Sequence, residues 1–260
     1  MSGGNLLIGF ARSRALSPLR RLLRPLVTRW SRPMPARLIT GQTCYVDARS
    51  VVGQGLLVVG ETDPKLGEWI SSAVAGRDGI FVDAGANVGF FSLLALSKMR
   101  SGAAHAFEID PRTVRCLRLT KSHGKMDNLI VHDCGLGAEN ARAGLVSEEE
   151  LVWTHVDFAA QSGSGFVIRP LDDFASEFAG QRVIAMKVDV EGMELAVMQG
   201  AKNVLLKHRP VVVSEAIDGN MARYGASVRE LIEFMASIGY SGQWLEKTND
   251  PTLVFTPGSE

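Results

Sequence analysis

The stretch Ile80 to Phe91, IFVDAGANVGFF, constrains this chain more than any other. Ile80, Phe81 and Val82 form a short apolar run that reads as a strand buried on both faces, and Phe90 to Met99 reads as the helix that follows it. Between them lies a turn of small and polar residues built for a ligand. Gly85 and Gly89 lack a Cβ, so the backbone can turn sharply and let a cofactor approach its N–H groups. Asp83 closes the strand where open α/β sheets place their ligands. Asp83, Gly85, Asn87 and Gly89 are therefore candidate cofactor-binding residues.

The turn reads D-x-G-x-N-x-G and lacks the G-x-G-x-x-G of the dinucleotide fingerprint. About twenty residues further on, Glu108 in AHAFEID falls where a second strand should end and where an acid can bind ribose hydroxyls. Glycine turn and acid together point to an adenosine cofactor. A nicotinamide-dependent oxidoreductase shares the sheet and Glu108, but the missing third glycine argues against it. Leu129 to His132 reads as a third strand. Asp133 after it is a candidate acceptor for an adenine amino group, or an acid that caps a turn.

A second motif, Met186 to Ala201 (MKVDVEGMELAVMQGA), ends the fourth strand, read as Val183 to Val190. Lys187, Asp189 and Glu191 alternate, so they share one side of it until the chain turns at Gly192. Three charges on one face of a central strand are costly without partners or solvent. They pair with one another, as a Lys187 to Glu191 ion pair would, or they face a pocket.

With VDAGANVG, FEIDP and LDDF, the K-x-D-x-E-G segment resembles the FkbM family of S-adenosylmethionine-dependent methyltransferases, over roughly Asp47 to Pro257. The resemblance implies S-adenosylmethionine as cofactor and a small-molecule or glycan acceptor: O-methylation of a hydroxyl on a sugar, glycan or secondary metabolite. N-methylation of an amino sugar is the near alternative, since a free amine needs less help from a base. A non-catalytic binding member of the fold is a third reading. Methyl transfer to a hydroxyl needs in-line alignment and removal of a proton. The candidates are Asp189 at the junction of cofactor and acceptor, Lys187 and Glu191 as supporting or base groups, and Glu215, which closes the fifth strand (Val211 to Glu215), as second choice for the base. Glu194 reads as first-turn helix, offsetting the macrodipole. In the family the segment around Glu61 lies over the cofactor side, which makes Glu61 a minor candidate.

The expected fold is α/β: a Rossmann-like methyltransferase fold with a seven-stranded, mostly parallel sheet ending in an antiparallel hairpin, Tyr240 to Glu246 and Thr252 to Thr256. Residues 1–37 read as a basic arm and 38–260 as the methyltransferase domain. The domain opens with a β flap, in which ARLITG, TCYVDA and GLLVVG are strands, and carries a variable insert near 139–166, read as a hairpin or flap. There His155 shares a strand face with Trp153 and reads as a surface histidine. Asp172 or Asp173 should cap a helix through Phe178.

Of the 28 basic residues, eight are arginines within residues 1–40, which hold no acid, so the remainder carries 20 against 28 acids. That mildly acidic body argues against nucleic acid as a partner. The arm places Leu16, Leu19, Leu23, Leu26 and Trp30 near one face; it reads as a helical arm packing on a catalytic domain, a transit peptide, or a peripheral contact with an anionic membrane. Three scattered cysteines show neither a disulfide framework nor zinc spacing, and the five histidines form no H-x-x-x-H pair, so no metal is expected. If Asp189 held a divalent cation, further oxygen ligands should converge on it, and the sequence identifies none. With no span or signal-peptide core visible, the reading is cytoplasmic, with membrane association through the arm as an option. Subunit number is not legible.

Overall fold

The alternating apolar runs and amphipathic stretches assemble into one twisted sheet between two helical layers. A computed structural model describes residues 32–147, 154–158, 165–248 and 250–258. The chain enters through a hairpin, β1 (Met34–Arg37) and β2 (Thr43–Val46), then α1 (Val51–Val59) and α2 (Pro64–Val74). The core follows as β3 (Asp78–Ala84), α3 (Phe90–Lys98), β4 (Ser101–Phe107), α4 (Pro111–Gly124) and β5 (Leu129–His132). Four strands come next: β6 (Gly135–Leu136), β7 (Ala141–Ser147), β8 (Thr154–Asp157) and β9 (Phe166–Arg169). A 3₁₀ segment, Leu171–Phe178, leads to β10 (Val183–Val188), α5 (Glu194–Gly200), α6 (Lys202–His208) and β11 (Val211–Glu215). After α7 (Asp218–Met221) and the 3₁₀ turn Ala222–Tyr224 come α8 (Val228–Ser237), β12 (Tyr240–Glu246) and β13 (Thr252–Pro257).

The seven-stranded sheet runs β12-β13-β11-β10-β3-β4-β5, parallel from β11 to β5 and antiparallel where β13 joins β11 and β12. β10 is buried at every position, as a strand covered on both faces must be. Side chains alternate between two cores. Phe81, Ala185 and Val213 pack under α2, α3 and α4 with Ile70, Leu93 and Leu117. Val82, Met186 and Val212 pack under α5, α6 and α8 with Val197, Leu205 and Leu231. The chain builds outward from β3 to β5 and then crosses back to β10. The switch point therefore lies between β3 and β10, and there the carboxyl ends open a crevice.

Several expectations need correction. GLLVVG, read as a strand, is the second half of α1. Its apolar residues suit either state, and the caps decide: Ser50 accepts from the Gly53 N–H at 2.9 Å, and Gly60, left-handed at φ 78°, donates back to the Leu56 carbonyl. The fourth strand stops at Val188, not Val190; Asp189 still donates its N–H to the Ala84 carbonyl, and the chain then turns through Glu191, left-handed at φ 58°. Asp172 does not cap its own segment; its carboxylate accepts from the Asn203 and Val204 N–H groups and so caps α6. The insert does form a hairpin, β7 with β8, and β9 joins the other edge of β7. Residues 1–31 and Trp153 lie outside the described residues, and β1 shows that the flap begins before residue 38. Among the described residues no helix is long and apolar enough to cross a membrane.

Candidate active site

At the switch point the structure holds a cavity of about 290 Å³, lined among others by Gly85, Asn87, Glu108, Ile109, Lys187, Asp189, Glu191 and Glu215. Gly85 sits at φ 74°, and a Cβ there would lie 1.8 Å from the Asp189 carbonyl oxygen. The turn must therefore be glycine at this point because the end of β10 presses against it. The Gly85 and Ala86 N–H groups donate to the Phe107 carbonyl at 3.0 and 2.9 Å, and Asp189 N–H donates to Ala84 at 3.1 Å. One turn thus ties the ends of β3, β4 and β10 together.

Asn87, left-handed at φ 51°, donates its N–H to Glu108 Oε2 at 2.7 Å. The N–H groups of Ile109 and Asp110 donate to Glu108 Oε1 at 2.7 and 2.8 Å. Three backbone donors thus fix the carboxylate at the cavity wall. Burial nevertheless pushes its pKa above the ordinary glutamate value, against those three bonds. Gly89 is the N-cap of α3, where a Cβ would meet Leu117 at 2.5 Å; it supports the turn from behind and does not line the cavity.

Asp83 also lies behind the cavity. It is fully buried, accepts from Ser92 Oγ at 2.7 Å and faces Lys187 Nζ at 3.4 Å. Lys187 is itself buried; its Nζ also stands 3.4 Å from Asp189 Oδ2 and donates to the Gly85 carbonyl at 2.9 Å. Its ion-pair partners are thus Asp83 and Asp189, not Glu191. Burial pulls the Lys187 pKa down, but the charges of Asp189 and Asp83 outweigh it and hold the ammonium above the ordinary lysine range.

Beyond Asp189 three further carboxylates gather. Asn220 Nδ2 donates to Glu191 Oε2 at 3.4 Å and to Glu215 Oε2 at 3.3 Å. Glu194 opens α5 as expected but turns back, its Oε1 accepting from the Val190 and Gly192 N–H groups at 3.1 and 3.0 Å. Burial, then the charges of neighbouring acids, push Glu191 up to about 8 and Glu215 up to about 9. Between the ordinary value of 4.5 and these values the folded protein keeps protons that the unfolded chain has released. Stability from these two groups therefore falls as pH rises through that window and levels off above it. In urea titrations between about pH 7 and about pH 9 the midpoint should drop, and Glu215→Gln should reduce the drop. A midpoint that rises would contradict the assignment.

Two sequence candidates stand apart. Asp133 is exposed, pairs with Arg118 at 2.7 Å and lies on a separate surface depression. Glu61 does not line the cavity, although its neighbours Thr62 and Asp63 do. The sequence reading missed Asn220 and an apolar wall of Val156, Ile168 and Met193. It also missed Tyr224, whose hydroxyl accepts from the Val156 N–H and donates to the Val156 carbonyl, each at 3.0 Å, fixing β8 to the site. No local pattern announces contacts between residues 68 positions apart.

The strand order, the switch-point cavity and the acid fixed at the end of the second core strand define a doubly wound α/β domain whose candidate site lies at the carboxyl ends of its central strands. The profile of the Methyltransferase FkbM domain matches residues 83–241, and the chain belongs to that family. A curated relative, Methyltransferase 1 of Beauveria bassiana (strain ARSEF 2860), is 27% identical over 145 residues, 47% of this chain and 58% of that protein. The chain thus spans less than two thirds of that relative's length. The solved structure of Methyltransferase FkbM from Methylobacillus flagellatus KT superposes with a TM-score of 0.50 at 19% identity, over 92% of this chain and 60% of that one. The likeness to that structure is one of fold.

Proposed function

We propose that this protein is an S-adenosylmethionine-dependent methyltransferase whose acceptor group is a hydroxyl on a sugar, glycan or secondary metabolite. The observation that carries the reading is Glu108, a carboxylate fixed by three backbone donors beside the glycine turn. Its position at the end of β4 suits a ribose diol, and Ile109, next in the chain, offers an apolar flank for a base. When bound, the cofactor supplies a methyl group activated on sulfonium.

The chain's own residues then do two things. Lys187 fixes Asp189 where the ends of β3 and β10 meet, so a charged oxygen sits at the junction between cofactor and acceptor. Glu215, with Glu191 beside it, is the acceptor's base. Because burial and the neighbouring acids hold Glu191 at about 8 and Glu215 at about 9, they act as base in their ionised form, and methyl transfer should speed up as pH rises toward that range. The apolar wall of Val156, Ile168 and Met193 suits an acceptor with an apolar body better than a bare sugar. Asp189, Glu191 and Glu215 would equally hold an ammonium, which keeps N-methylation of an amine as the second reading.

Calorimetry with S-adenosylmethionine, S-adenosylhomocysteine and NAD tests the proposal. The two adenosyl ligands should bind and NAD should not, and Glu108→Ala should weaken binding at least about tenfold, the loss of a charge-assisted hydrogen-bond set. Failure of a folded sample to bind either adenosyl ligand would refute it.

A further inference from the structure

A second cluster of chemistry-bearing side chains lies outside the cavity and is used by nothing described so far. His105 in β4 and His132 at the end of β5 sit on adjacent parallel strands, where His105 is level with Ile130 and Phe107 with His132. Residues two apart share a face, so the two imidazoles are diagonal neighbours on the same side of the sheet. His105 Nδ1 stands 3.1 Å from His132 Nε2, with the rings 20° from parallel. Glu177, on the 3₁₀ segment that packs over this face, brings its Oε2 to 4.0 Å from His132 Nδ1.

We propose that His105, His132 and Glu177 bind a first-row divalent metal ion of the zinc type. One ligand atom from each residue lies within 4.8 Å of the other two. Ligands about 2.0–2.1 Å from a tetrahedral zinc ion stand roughly 3.3 Å apart. His105 Nδ1 and His132 Nε2, at 3.1 Å, are close to that spacing, so an ion would replace the hydrogen bond between them, and the half-exposed Glu177 carboxylate must swing from the Nδ1 side of His132 toward Nε2 to close the third position. Water completes the fourth. Two imidazoles with one carboxylate favour zinc, cobalt, nickel or copper over magnesium and calcium.

The surroundings fit this use. Phe107 stacks on His132 at 4.2 Å, and Phe174 and Phe178 meet the two imidazoles edge-on, so aromatic rings enclose the pair. Each ring can carry its proton on the nitrogen away from the ion, so binding needs a tautomer change and releases no proton. Of the cations nearby, Arg169 lies over Phe174 at 4.4 Å and pairs with Asp173 at 3.3 Å. No H-x-x-x-H spacing marks this pair in the sequence, where no metal is expected. These histidines are 27 residues apart, and only strand pairing joins them.

The full chain, stripped with chelator, should take up one equivalent of ZnCl₂ by calorimetry. Glu177→Gln, an exposed substitution that leaves the fold intact, should weaken uptake at least about tenfold, and His105→Phe should abolish it. In ¹⁵N-histidine-labelled wild-type protein, two of the five imidazoles should shift on zinc addition. Glu215→Gln should leave the affinity unchanged. Absence of stoichiometric uptake, uptake indifferent to Glu177→Gln, or uptake lost with Glu215→Gln would each overturn the site. None of these outcomes depends on methyl transfer.

Discussion

Lys187→Met is expected to destabilise the fold by about 3–5 kcal/mol, the usual cost of leaving one member of a buried ion pair alone. Lys187 is 3% exposed and Asp83 fully buried, so removing the ammonium leaves the Asp83 charge buried with only the Ser92 hydroxyl donating to it among the described contacts. The Gly85 carbonyl loses its donor as well. Asp83→Asn combined with Lys187→Met should recover part of the loss, because the uncompensated charge is gone. Urea denaturation measures both. A single substitution costing less than about 1 kcal/mol would show that Lys187 is not what holds β3 to β10.

The second large effect is expected at Gly85, on the other side of the same knot. An alanine Cβ would stand 1.8 Å from the Asp189 carbonyl oxygen, well inside any contact that real side chains make. The left-handed φ of 74° adds about 1–2 kcal/mol of strain for a residue with a Cβ. Relief requires β10 to move away from the turn, which breaks the Lys187 bond to the Gly85 carbonyl and shifts Asp189. Gly85→Ala should therefore lose both stability and adenosyl-ligand binding, while alanine at Gly180, φ 76° but with no heavy atom within 4 Å of its Cβ, should cost only the backbone strain. Equal losses at the two positions would refute the close-approach argument.

How far the sequence can be read follows from what each element depends on. Leu129 to His132 and Val211 to Glu215 are apolar runs between turn residues, and they form β5 and β11 with the predicted limits. α1 was misread because an apolar, glycine-containing run suits strand and helix alike until its caps are seen. At the site, Glu108 and Asp133 look equivalent in the sequence, each an acid after a strand. The difference is three-dimensional: the Asn87 turn and the start of α4 direct N–H groups at Glu108, whereas Asp133 extends to Arg118. Lys187, Asp189 and Glu191 read as one charged face; a left-handed Glu191 instead splits them into a buried ion-pair knot and a carboxylate group held by Asn220. Alternation predicts side-chain direction only while the strand lasts.

A crystal structure of the full chain with S-adenosylhomocysteine would decide whether Glu108 holds the ribose of the cofactor. The ribose hydroxyls should lie on Glu108 and the sulfur should turn toward Asp189, Glu191 and Glu215. A ligand bound elsewhere, or bound with its ribose away from Glu108, would contradict this placement.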